Sequence, residues 1–333
     1  MSQIGIALFG LGRIGKIHLD ILSTRRAVKV VYIVEHENYL ESAKKWLDDE
    51  QYDYKLHNEN SSKNVPILIP SSLADTVYND PAVQAVYVCT PTNLHEDIVI
   101  NSLTAKKAVF CEKPLSATVK STIKMYQLAE KFELPLLCAF NRRFDPQLVE
   151  QADLISKGVL GDIFVIKTVA RDNPRPSDDY LKISGGIFHD CAVHDLDLVR
   201  FMNQKSEISS VFVSASAYCP KIKAMGDVDT VIIVLEFDNG VIASIDLSRH
   251  GGYGYDQRCE VFGKLGMLSS ENQRDSWMQH SVARDLPEEG YTGKGTVLAP
   301  VQYTFRQRYE KAYRVLEIGA KSDVVQCNFT EHK

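Results

Sequence analysis

The run IGIALFG (4–10) leads directly into Gly10-Leu11-Gly12-Arg13-Ile14-Gly15. The first segment reads as a buried strand. From Arg13 to Ala27, Ile14, Ile17, Ile21 and Leu22 fall on one helical stripe. A GxGxxG match is weak alone, but between a strand and a helix it has the context of a dinucleotide-binding turn. There the first glycine makes the tight turn, the second admits the pyrophosphate, and the third allows close helix–strand packing. The anion then lies on amides at the positive end of the helix. Glu35 closes a second strand, VKVVYIVE (28–35), about 20 residues further on, where a carboxylate binds the ribose 2′-hydroxyl. Its charge repels a 2′-phosphate and favours NAD over NADP, a preference that the nearby cations Arg13 and His36 soften. The same residues also fit a glycine-rich turn beside a solvated glutamate.

Outward from this stretch, strand and helix patterns alternate. A helix is expected through Tyr39–Asp49, then a polar surface loop, HNENSSKN (57–64). QAVYVCT (84–90) and AVFCEK (108–113) read as strands around a helical 93–106, and a helix near 118–132 leads to LPLLCAF (134–140). This is the pattern of an α/β chain with a doubly wound parallel sheet. After about Arg142 it changes. A helix (145–157) and DIFVIKTVA (162–170) precede a polar loop, RDNPRPSDDY (171–180). Strand-like runs follow at 209–217, 229–237, 240–248 and 257–263, with a hairpin signal at Asn239-Gly240. The expected organisation is a Rossmann domain over 1–140, an α+β domain with a mainly antiparallel sheet over 141–318, and an atypical tail over 319–333.

The chain has 333 residues, enough for about two domains of roughly 150 each. Its net charge of −5 offers no basic footprint for nucleic acid or an anionic membrane. No apolar run approaches the roughly 18 residues of a spanning helix. Met-Ser-Gln runs into the first strand with no basic leader, so a cytoplasmic location is expected. The seven cysteines are odd in number and form no CxxC pair, which disfavours a disulfide framework or structural zinc.

Two further segments carry chemistry. Glu112-Lys113-Pro114 stands at the end of a predicted strand, where ligands of open parallel sheets bind. Lys113 also reads as an ordinary surface lysine. In GGIFHDCAVHDLD (185–197), helical spacing puts Asp190 and His194 four apart, with Asp197 three further on, near one face. A histidine with a carboxylate one turn away is an oriented general base. The same pattern fits a capping aspartate and a core histidine. His189 and His194 are five apart, about 140° round a helix, so no metal site is expected.

Taken together, GLGRIGKIH, TPTNLHEDIV, CEKPLS, FNRRFDP and GGIFHDCAVHDLDLVRF resemble the glucose-fructose oxidoreductase/inositol dehydrogenase/MocA family from about residue 3 to about Tyr313. Within it, RDNPRP, YLKISGGIF and the HDxDxxRF pattern are most similar to the inositol 2-dehydrogenases. The resemblance implies a Rossmann domain followed by a domain with an open-faced antiparallel sheet, through which relatives pair as homo-oligomers. It implies catalytic roles for Lys113, Asp190 and His194, and a commonly cis bond before Pro114. Cofactor contacts would come from Gly10, Gly12, Arg13, Ile14, Gly15, Glu35, Thr90, Pro91, Asn93, His95, Glu112 and Lys113. Substrate contacts would come from Asp197, from the Asn141-Arg142-Arg143 segment, and from a tyrosine of Tyr253-Gly254-Tyr255, for which Tyr255 is taken. The implied activity is NAD-dependent oxidation of a cyclic polyol, with myo-inositol or another sugar-derived alcohol as substrate. HNENSSKNVPI (57–67) is longer than the family's usual loop. Past FRQRYEKAYRVLE the chain turns into IGAKSDVVQCNFTEHK instead of the family's long helical tail. This suggests truncation or alternative splicing near Ile318, and leaves open a dinucleotide-binding sensor without activity.

Overall fold

Alternating apolar strands and amphipathic helices build the first of two units, Met1–Phe140 and Asn141–Lys333. The computed structural model describes residues 3–57, 59, 65–204, 206–272 and 305–313. In the first unit the strands are β1 (Ile4–Phe9), β2 (Val28–Glu35), β3 (Lys55–Leu56), β4 (Ile67–Pro70), β5 (Ala85–Val88), β6 (Ala108–Cys111) and β7 (Leu136–Cys138). They form one sheet in the order β3-β4-β2-β1-β5-β6-β7, parallel at every pairing. The helices are α1 (Arg13–Ser23), α2 (Leu40–Asp49), α3 (Ala74–Asn79), α4 (His95–Thr104) and α5 (Val119–Lys131). A parallel sheet covered on both faces has strands that are apolar throughout. Accordingly β1 is buried from Gly5 to Phe9. The strand order reverses between β1 and β5, which is where open sheets of this kind leave a crevice for ligands.

Strands β3 and β4 were not expected. They have two and four residues, too few to show a periodicity. Of the polar run 57–64, only His57 and Glu59 lie within the described residues.

The second unit carries α6 (Pro146–Ser156), α7 (Asp178–Ile183), α8 (Val193–Met202) and α9 (Pro220–Ala224). A further helix covers 305–313. Helix α6 starts where Asp145 accepts a hydrogen bond from the Gln147 amide and Pro146 takes the first helical position. The strands are β8 (Ile163–Arg171), β9 (Ile208–Ser216), β10 (Thr230–Phe237), β11 (Ile242–Ser248), β12 (Asp256–Gly263) and β13 (Gly266–Ser270), in the order β13-β12-β8-β11-β10-β9. Only β11–β8 is parallel, so the sheet is mixed and mostly antiparallel. The expected turn forms, with the Phe237 amide donating to Val241 O at 2.9 Å across Asn239-Gly240.

One sheet face is core. Val231, Ile233, Leu235 and Phe237 of β10 are buried in a cluster with Leu148, Leu198, Val199 and Met202 of α6 and α8. Each such side chain contributes about 1.5–3 kcal/mol. The other face leaves Phe212, Ile232, Ile242 and Phe262 exposed. The helix expected across 188–197 begins as a π-helical turn, Phe188–Ala192, before α8. The tail over 319–333 lies outside the described residues.

Candidate active site

At the end of β1 the chain must turn sharply beneath β5. Gly10 does so at φ +87°, and a Cβ there would sit 2.8 Å from Cys89 O. A Cβ on Gly15 would lie 2.0 Å from Gly10 O, so only glycine lets α1 approach this closely. At Gly12, by contrast, a Cβ would meet nothing within 4 Å, which is the free space a pyrophosphate needs. No side chain caps the amino end of α1, and no acidic residue stands in its first turn. Arg13 and Ile14 open the helix. The Glu35 carboxylate accepts hydrogen bonds from the Leu11 amide at 2.6 Å and the His36 amide at 2.8 Å. It is thereby held against the glycine turn. Past the end of β5, the Thr90 hydroxyl is buried without a hydrogen-bond partner. An orphaned hydroxyl at the strand-order reversal is what a ligand would satisfy. Free space at Gly12, the open helix end and Thr90 therefore fit a dinucleotide. Pro91 and Asn93 are exposed on the turn that follows.

The Lys113 loop is braced from below. His18, fully buried on α1, places Nε2 3.0 Å from Oε1 of Glu112, itself buried. Edge-on contacts with Tyr87 and Phe110 fix the His18 ring. Glu112 thus serves to seat Lys113, whose amide lies 3.3 Å from Glu112 Oε2. The Lys113–Pro114 bond is cis, as the resemblance implies. His95 ties this loop to the end of β5, with Nδ1 2.9 Å from Pro114 O and Nε2 2.8 Å from Thr90 O. Burial lowers its pKa, against the smaller upward pull of the two carbonyls and Glu112.

In the second unit the π turn widens the helix by a residue per turn and carries Asp190 into a charged network. Its Oδ1 accepts from the Tyr180 hydroxyl on α7 at 2.7 Å, and its Oδ2 from Arg249 Nη1 at 3.0 Å. Burial, then the charge of Asp190, hold the Tyr180 phenol far above its usual pKa. Arg249 follows β11, and its Nη1 is also 3.7 Å from Asp172, which follows β8. Cys191 Sγ lies 3.3 Å from the same carboxylate. His194 is buried in the first turn of α8.

The residues expected to meet substrate each have a polar or charged partner in this unit. Asn141 opens the unit, 2% exposed, donating to the Tyr309 hydroxyl at 3.2 Å while its Oδ1 is buried without a hydrogen bond. Arg142 pairs with the fully buried Asp195 at 2.8 Å, and against the downward pull of burial the Asp195 charge, with Tyr255 and the contact itself, holds the guanidinium pKa up. Arg143 grips Asp197 bidentately, Nε at 2.9 Å and Nη2 at 2.7 Å. Burial raises the Asp197 pKa, and Arg143 opposes it. Burial likewise raises the Tyr255 pKa, with Arg308 and Arg142 pulling the other way. Arg308 also bonds Asp145 and Gln257, fastening the 305–313 helix. Tyr253, the alternative tyrosine, donates to Asp256 at 2.6 Å.

Sequence reasoning missed His18, Asp172, Tyr180, Asp195 and Arg249. Asp172 and Tyr180 fall in RDNPRPSDDY (171–180), whose composition marks only a polar loop. Nothing local marks Arg249 as buried, since its position depends on the parallel pairing of β8 with β11.

The first unit matches the oxidoreductase family with an NAD-binding Rossmann fold over residues 4–140, and the second matches the GFO/IDH/MocA C-terminal domain over residues 149–269. The chain is 36% identical over 311 residues to the myo-inositol 2-dehydrogenase of Thermotoga maritima, covering 92% of this chain and 84% of that protein. It is 30% identical over 310 residues to the inositol 2-dehydrogenase of Rhizobium meliloti, covering 93% and 85%. The crystal structure of a myo-inositol dehydrogenase from Corynebacterium glutamicum superposes with a TM-score of 0.78 at 25% identity, over 97% of this chain and 90% of that one. An NAD-binding Rossmann unit, a mostly antiparallel second sheet and relatives of this identity lead to one conclusion: the chain belongs to the GFO/IDH/MocA family of oxidoreductases.

Proposed function

We propose that this chain oxidises a secondary alcohol of a cyclic polyol, myo-inositol or a close isomer, with NAD as the hydride acceptor. The observation that carries the reading is the Asp190 carboxylate, held from both sides four residues before the buried His194. The inositol dehydrogenases among the relatives supply the substrate class. His194 takes the hydroxyl proton, and Asp190 stabilises the imidazolium that forms. Lys113 donates a hydrogen bond to the same substrate oxygen and offsets its developing negative charge. The Gly10–Gly15 turn, Glu35 and Thr90 would hold NAD, which would supply the hydride acceptor, so that the alcohol would become a ketone with release of one proton. Glu35 favours the ribose hydroxyl of NAD over the phosphate of NADP. Asn141, Arg142, Asp197 and Tyr255 provide the polar groups a polyhydroxylated ring requires.

The open sheet face is proposed to pair with a second copy. Phe212, Ile232, Ile242 and Phe262 share it with the Lys167–Glu260 ion pair, a mixture suited to an interface. NAD reduction with a panel of inositols and sugar alcohols tests the activity. Turnover of at least one inositol is expected; cofactor binding without turnover on any polyol would favour a sensor.

A further inference from the structure

Arg249 is fully buried, with 0% of its surface exposed. Taking a guanidinium out of water is costly, and an apolar side chain of similar volume packs as well or better. Its compensation is incomplete. Nη1 reaches Asp190 at 3.0 Å and Asp172 at 3.7 Å, but Nε and Nη2 are buried with no hydrogen-bond partner. Burial pulls its pKa down, yet Cys191, Asp190 and Asp172 outweigh this, so the side chain stays charged. A buried, half-satisfied cation is a poor device for stability and calls for another purpose.

Its position supplies one. The Asp190 carboxylate is held at two points from two different elements, Oδ1 by Tyr180 of α7 and Oδ2 by Arg249 after β11. Two donors on separate elements fix both the plane and the depth of a carboxylate. The adjacent cation also opposes its protonation. Because Nη1 and Nη2 are shut away from solvent, the arginine acts through Asp190 rather than on substrate. We propose that Arg249 is a positioning residue, which holds the Asp190 carboxylate aimed so that it can stabilise His194 as the proton is taken. The proposal rests on the reading of Asp190 and His194 given above.

Arg249→Met, Arg249→Gln and Arg249→Lys are assayed by NAD reduction with the inositol that the unaltered protein turns over best. Loss of the arginine is expected to lower kcat about 10- to 100-fold, part of the roughly 100- to 10,000-fold supplied by a general base. The polyol KM should move less than threefold and NAD affinity not at all, with Arg249→Lys recovering part of kcat. In an Asp190→Asn background the Met or Gln change should cost little more. A folded Met or Gln variant with kcat within twofold of the unaltered protein overturns the proposal. So does an equal loss in both backgrounds, which would show the arginine acting elsewhere. If Arg249→Met does not fold, Arg249→Gln keeps the side chain's length and a polar end and carries the comparison. If the unaltered protein turns over no polyol, the function reading fails, and the arginine's hold is then read from urea midpoints. Non-additive midpoint shifts for Asp190→Asn and Arg249→Gln support it; additive shifts overturn it.

Discussion

Gly12 and Gly15 are separated by two residues and should respond to the same substitution in opposite ways. A methyl on Gly15 runs into Gly10 O at 2.0 Å, so backbone must move. Gly15→Ala should therefore lower stability by about 1–3 kcal/mol, read as a shifted urea midpoint. At Gly12 the added methyl meets nothing within 4 Å of protein. Gly12→Ala should leave the midpoint unchanged and weaken NAD binding about tenfold or more, roughly 1.4 kcal/mol or above by calorimetry. Glu35→Gln removes the charge seated on the Leu11 amide while keeping its shape. The ratio of kcat/KM for NADP to that for NAD should rise about tenfold or more, in line with the charge conflict it relieves.

Among the elements, the two loops at the ends of β5 and β6 depend on His95. A neutral imidazole donates through only one nitrogen, yet both of its nitrogens face carbonyls. Because burial lowers the pKa of this ring below 6.5, the folded protein binds fewer protons here than the unfolded chain just below that pH. Stability from this group is therefore complete above pH 6.5 and is lost as pH falls from there through the folded value. Urea unfolding should show that slope in the unaltered protein, and His95→Gln should flatten it. The elements also show what sequence could reveal. Strands β1, β2, β5 and β6 were legible because a parallel sheet buries both faces and leaves unbroken apolar runs. Strands β3, β4 and β13 were too short to declare a period. The π turn was not legible because an added residue per turn changes no residue type. So Asp190 and His194 stand out in the sequence by their spacing alone, while Tyr180 and Arg249, which bond Asp190, do not. They come from distant segments, and only the tertiary fold brings them to it.

Over the whole molecule, the passage from a parallel sheet to a mostly antiparallel one was legible in the change from strand–helix alternation to long strand-like runs near Arg142. The apolar content of the open sheet face was not, since an exposed apolar face has the same alternation as a solvated one until its residues are seen together. If the open face pairs two copies as proposed, replacing Phe212 and Ile232 with glutamate should lower the mass read by light scattering to that of a monomer, because like charges would then face one another; an unchanged mass would contradict the pairing. The reading as a whole rests on His194 as the proton acceptor. The most direct test is NAD reduction with myo-inositol and its isomers by the unaltered protein and by His194→Ala. The account predicts turnover of at least one inositol, reduced at least about 100-fold in the variant with NAD affinity retained. Undiminished turnover in His194→Ala, or NAD binding without turnover of any polyol by the unaltered protein, would contradict it.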